Sequence, residues 1–87
     1  MAYMPHVSWS HAHTTEQLGA ALARARHDRE WTQVQLADAV GVDRRTIIRM
    51  ESGQHASTAT MVRALSILGC ELIVVPKSAS ITVEVTS

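Results

Sequence analysis

The chain of 87 residues lacks most of what would announce an enzyme, a membrane protein or a disulfide scaffold. It has a single cysteine, Cys70, so no intrachain disulfide can form, and the neighbouring Leu68, Leu72 and Ile73 predict a buried thiol. No apolar run approaches the roughly 20 residues needed to span a bilayer, and the N-terminus has no basic region followed by an apolar one. A cytoplasmic location is the expectation. There is no glycine-rich phosphate loop and no arrangement of serine, histidine and acid. Neither His27 nor His55 belongs to such an arrangement, so neither catalysis nor a cofactor is expected. His11 and His13 are spaced like a metal-binding pair but have no third ligand, so no metal is expected either.

Net charge is also missing, since eight Lys plus Arg balance eight Asp plus Glu. That balance counts against a promiscuous polyanion binder, whose affinity comes from the counterions that many basic residues release. A site-specific binder needs only local positive charge, and here the charge is local. Seven of the eight basic residues are arginine, and six of those seven lie between Arg24 and Arg49. Arginine is the side chain whose planar fork fits guanine edges and phosphates. At this length folding buries only about 60% of the unfolded chain's surface, which predicts one small domain with a thin core that a second subunit would support.

The stretch TQVQLADAVGVDRRTIIRMESG, Thr32 to Gly53, reads as two short helices and a tight turn. Thr32 with Gln35 has capping-box spacing, and Leu36, Ala37 and Val40 supply an inward face. Gly41 stands where the chain must leave the helix through positive phi. Asp43 can cap the next helix, whose Ile47 and Met50 point inward while Arg44, Arg45, Thr46, Ile48 and Arg49 take the flanks and outer face. Two helices so joined at a steep angle form a helix-turn-helix.

Around this pair the chain divides into three parts. Residues 1 to 14 show no period and read as a flexible arm, in which Trp9 is the residue with most reason to pack on something. Thr14 and Gln17 repeat the capping-box spacing and open a helix from Thr15 to Asp28, with Leu18, Ala21, Leu22 and Ala25 as its apolar stripe and Arg24 outside. Trp31 is expected to cover the helix junction. Ser57 or Thr58 caps a further helix with Met61, Ala64, Leu65 and Leu68 inward, and Gly69 closes the helical domain, 15 to 69. Residues 70 to 87 change period: Leu72, Ile73, Val74 and Val75 suit a strand covered on both faces, and Ile81 and Val83 alternate with polar residues. An isolated hairpin is marginal in water, so these strands are expected to pair with a second copy of the chain.

The residues Arg26, Thr32, Gln33, Leu36, Ala37, Gly41, Val42, Ile47, Glu51 and Gly53 together resemble the XRE family, the helix-turn-helix of Cro and phage-repressor type, from Leu18 to Leu68. The turn to ELIVV after Gly69 is similar to HipB-type antitoxins within it. The resemblance implies a mainly α, four- to five-helix lambda-repressor-like domain with C-terminal β-strands joining a homodimer. It also implies a repressor that reads a double-stranded DNA operator and, for the HipB type, a HipA-like kinase toxin as partner. By the same resemblance, Arg44, Arg45 and Arg49 match positions that reach base edges. Gln33 matches a phosphate contact that also braces the recognition helix, Thr46 is placed for a phosphate or a thymine methyl, and Arg26 and Glu51 match an internal salt bridge. Arg24 or Arg29, outside the matched positions, is expected to hold a further phosphate. The chain departs from the family at two positions. Glu30 stands where the family has glycine, which predicts a different exit from the first helix than a tight left-handed turn. Ile48 stands at a normally polar position, where it touches either a thymine methyl or another protein.

Overall fold

A computed structural model describes residues 10–54 and 56–76. Four helices follow one another: α1 Thr15–Asp28, α2 Gln33–Val40, α3 Arg44–Glu51 and α4 Thr58–Ile67. Each starts on a side chain that accepts a backbone N–H otherwise left without a partner. Thr32 accepts from the Gln35 amide at 3.1 Å while the Gln35 side chain accepts from the Thr32 amide at 2.8 Å, completing the capping box. At α1 the box is shifted: Thr14 accepts from Gln17 N–H at 3.1 Å, but Gln17 Oε1 accepts from His13 N–H at 2.6 Å rather than from Thr14. Ser57, not Thr58, caps α4, accepting from Thr60 N–H.

The apolar faces meet in one core of Leu22, Leu36, Ala37, Val40, Ile47, Met50, Met61, Ala64, Leu65 and Leu68. Leu22, Leu36 and Ile47 are fully buried, and each such side chain contributes about 1.5 to 3 kcal/mol through burial. α1 packs on α3, and α2 packs on both α3 and α4. Leu18 and Ala25 only flank the core, because the inner face of α1 is shifted toward Gly19 and Arg26, both of which are buried. Trp31 is half-buried against the core, as expected of a residue covering the junction, and the Arg29 guanidinium lies 5.2 Å from its ring centroid.

Two expectations need correction. Glu30 keeps the left-handed turn, at φ 57, although it is not glycine. The turn is held by backbone bonds, from Glu30 N–H to His27 carbonyl at 2.8 Å and from Trp31 N–H to Arg26 carbonyl at 3.2 Å, which offset the modest steric cost of that φ. Cys70 is half-buried rather than buried, since the chain leaves the core at Gly69. The run Leu72, Ile73, Val74 and Val75 is exposed, Val74 at 97%, and there is no strand among the described residues. The exposed run is open to the second copy of the chain with which a strand here is expected to pair. Ile81 and Val83 lie outside the described residues, as do Trp9 and His55. No helix among the described residues is long and apolar enough to cross a membrane.

Candidate nucleic-acid interface

The angle at which α3 is held follows from one buried polar network. Arg26 on α1 donates from Nε to Glu51 Oε2 at 2.6 Å and from Nη2 to Glu51 Oε1 at 3.1 Å, a bidentate pair whose side chains are only 9% and 8% exposed. Arg26 Nη1 also donates to the Trp31 carbonyl at 2.8 Å, and Gln33 Nε2 at the start of α2 donates to Glu51 Oε1 at 3.1 Å. One carboxylate at the end of α3 therefore joins all three helices. Close backbone packing reinforces it. A Cβ at Gly19 would meet the carbonyl oxygens of Met50 and Glu51 and lie 2.8 Å from Gly53 N, and one at Gly53 would lie 2.5 Å from Glu16 Cα. The pattern of apolar residues did not single out Gly19, although a lone glycine inside a helical stretch costs about 1 kcal/mol against alanine and so flags a packing requirement.

With Ile47 and Met50 buried, the phase of the helix fixes what faces away from the core. At about 100° per residue, Arg45, Ile48 and Arg49 stand opposite the buried pair, and Arg44 falls on the flank toward α2. All four are exposed, Ile48 at 40%. Arg44 lines an open groove of about 740 Å³ at the N-terminus of α2, together with Arg26, His27, Glu30, Trp31, Thr32, Gln33 and Val34. The start of α2 brings its positive dipole end and free amides to that groove, a setting suited to an anion.

Asp43 caps α3, accepting from Thr46 N–H at 2.8 Å and from Thr46 Oγ1 at 3.1 Å. These bonds, with the nearby charges of Arg45 and Arg49, hold its carboxyl below the ordinary value of 3.8. A depressed carboxylate stabilises the fold fully above its unfolded value and loses that contribution as pH falls through the lower folded one. Thermal melts should therefore show stability declining on acidification from about pH 4 downward, and Asp43→Asn, which retains a capping oxygen, should show a flatter profile there. An unchanged profile would remove Asp43 from the titration.

The structure brings some of the sequence-derived candidates together and separates others. Arg44, Arg45 and Arg49 share α3, and Gln33 adjoins Arg44 in the groove while bracing Glu51. Thr46 is half-buried and its hydroxyl donates to the Asp43 cap. Arg24 is exposed on the side of α1 opposite Leu22 and Arg26. Arg29 stacks on Trp31 and donates to the Ile67 carbonyl at 3.4 Å, at the end of α4. Neither Arg24 nor Arg29 lines the groove that holds Arg44. No group of three or more metal-ligating side chains occurs among the described residues.

A family model described as a helix-turn-helix domain matches residues 17–72. The chain belongs to the helix-turn-helix family, in its XRE-type branch. No curated protein matches the sequence significantly. Among solved structures, this helix-turn-helix chain is similar to the clp gene regulator ClgR from Corynebacterium glutamicum, with 31% identity and a TM-score of 0.62 over 66% of this chain and 62% of that one. The chain thus spans less than two thirds of that ClgR chain. HipB in complex with an O2 20mer superposes with a TM-score of 0.73 at 24% identity, covering 82% of this chain and all of HipB. The HipA–HipB–O2–O3 complex gives a TM-score of 0.72 at 22% identity, with 80% of this chain and 100% of the other covered. At these identities the HipB likeness is one of fold.

Proposed function

We propose that this chain is a sequence-specific, double-stranded DNA-binding transcriptional regulator, a homodimeric repressor of antitoxin type that acts in the cytoplasm by occupying a palindromic operator. The carrying observation is the outward face of α3, where Arg45 and Arg49 are exposed on a helix locked by the Arg26–Glu51–Gln33 network. The likeness to the regulator ClgR supports the same reading. In a dimer, two α3 helices would enter successive major grooves about 34 Å apart. Arg49 and either Arg44 or Arg45 make bidentate bonds to guanine O6 and N7, each contributing about 1 to 3 kcal/mol of discrimination. Gln33 and the α2 amides hold phosphates and fix register, with Arg24 or Arg29 as outlying phosphate contacts. The proposal assigns the chain no catalytic step, cofactor or metal.

Selection of bound duplexes from random DNA tests this. Arg49→Ala should weaken binding to the selected site at least about tenfold and flatten base preference at one position, from loss of a bidentate contact. Equal affinity in mutant and parent would reject Arg49 as a base reader. The salt dependence of binding should match only a handful of phosphates per subunit, in keeping with the zero net charge.

Dimerisation is assigned to the exposed Leu72, Ile73, Val74 and Val75, with Ile81 and Val83 beyond them, since a contiguous apolar run on a small domain marks an interface. Removing residues 71 to 87 should give a monomer in sedimentation equilibrium. A mass of twice the truncated chain would reject strand-mediated assembly.

A second reading is favoured by the complete coverage of HipB: the chain binds and neutralises a HipA-like kinase toxin as its main role. A kinase-like reading frame abutting this one supports that role, and a free-standing gene counts against it.

A further inference from the structure

Ile48 is an unusual residue to find on the outer face of α3. The side chain is 40% exposed, on a helix whose apolar needs Ile47 and Met50 already meet. Its neighbours on the helix surface are Arg44 and Arg45, four and three residues before it, with Arg49 beyond Arg45 on the same outer face. Two other helical positions among the described residues expose large apolar side chains, Val34 on α2 and Val62 on α4, but neither lies beside arginines on α3.

We infer that Ile48 is a specificity-determining residue that recognises the 5-methyl group of thymine in the major groove. The inference rests on the DNA-reading function proposed above and names one base feature that it selects. The occupant of this apolar spot must be compatible with two guanidinium groups flanking it within one turn. A partner protein covering Ile48 would have to desolvate both arginines and supply acceptors for each. The major groove supplies those acceptors as guanine O6 and N7, and the one apolar group it displays among them is the thymine methyl. A helix with its side chains is about 10 to 12 Å across, comparable with the width of that groove.

Two further observations favour this contact. Thr46, the other residue on α3 with a methyl to offer, donates its hydroxyl to the Asp43 carboxylate at 3.1 Å and is half-buried, so it is committed to the helix cap. Isoleucine in a helix is nearly restricted to one χ1 rotamer, so Ile48 presents its methyl groups in a fixed direction and loses little freedom on contact. Arginine bonds to guanine and an isoleucine contact to thymine on one helix predict a half-site with a required thymine next to its required guanine.

The test uses the full-length protein and the duplex recovered by selection, with each thymine replaced in turn by deoxyuridine, which removes only the methyl. Fluorescence anisotropy should show about fourfold weaker binding at one thymine per half-site, the effect expected for burying one methyl, and about fifteenfold when both symmetric thymines are replaced. In Ile48→Ala, whose melt should stay close to the parent's because alanine is the better helix former, the same replacements should leave affinity unchanged. The parent titrations stand without the variant. A parent insensitive to every deoxyuridine, or an Ile48→Ala protein that keeps the fourfold loss, overturns the contact and leaves DNA reading intact. Failure of selection to yield any preferred duplex overturns both.

Discussion

Gly19→Ala should lower the melting temperature by about 12 to 24 °C, the shift that roughly 3 kcal/mol produces in a domain of this size. The added methyl would meet no flexible side chain that could swing aside. It would meet the carbonyl oxygens of Met50 and Glu51 and the amide of Gly53, all backbone atoms at the end of α3. Relief requires α1 to move off α3, which would loosen Leu22 from Ile47 and Met50 and stretch the Arg26–Glu51 pair. Circular dichroism melts check this, with Gly41→Ala as the contrast. Gly41 lies at φ 86, and a Cβ added there would have no neighbouring atom within 4 Å. That substitution therefore meets only the backbone strain of the left-handed region, about 1 to 2 kcal/mol. If Gly19→Ala melts with the parent, the close approach of α1 and α3 is wrong.

Glu51→Ala should be destabilising by about 3 to 5 kcal/mol, against the 5 to 15 kcal/mol, roughly, that native domains possess in total. The loss comes mainly from what remains: a buried Arg26 guanidinium without its counter-charge, and Gln33 without its acceptor. Denaturant titration gives the stability change. A companion variant separates stability from orientation. Replacing the pair together, Arg26→Met with Glu51→Leu, removes both charges and should recover most of the lost stability, as apolar replacements of buried ion pairs commonly do. Specific DNA affinity should nonetheless stay reduced, because Gln33 would still lack the bond that links α2 to the end of α3. Recovery of both properties would show that the network does not orient the helix.

Much of the domain was legible in the sequence because its signals are local. The Thr32–Gln35 box, the Asp43 cap and the left-handed Gly41 involve residues within four positions of one another, and each formed as its chemistry required. The outward placement of Arg45, Ile48 and Arg49 follows from helix phase once Ile47 and Met50 are inward. The Arg26–Glu51 pair, 25 residues apart, came instead from the family resemblance, and the geometry bears it out.

The signals failed where distance through space decides. The pattern of apolar residues gave α1 a stripe but not its exact rotation, which is set by the contact of Gly19 with the backbone of α3. Glu30 argued against a left-handed turn by residue type, yet two backbone hydrogen bonds and the packing on either side hold it there. Where the helices begin and end, and which residues α3 turns outward, was written in the order of residues, because caps and helical period act over one or two turns. The angle at which that face is held came from packing, as did the committed bonds of Gln33 and Thr46 and the separation of Arg44, in the groove, from Arg45 and Arg49. These depend on backbones brought together from distant parts of the chain, a distance that no local pattern of residues encodes.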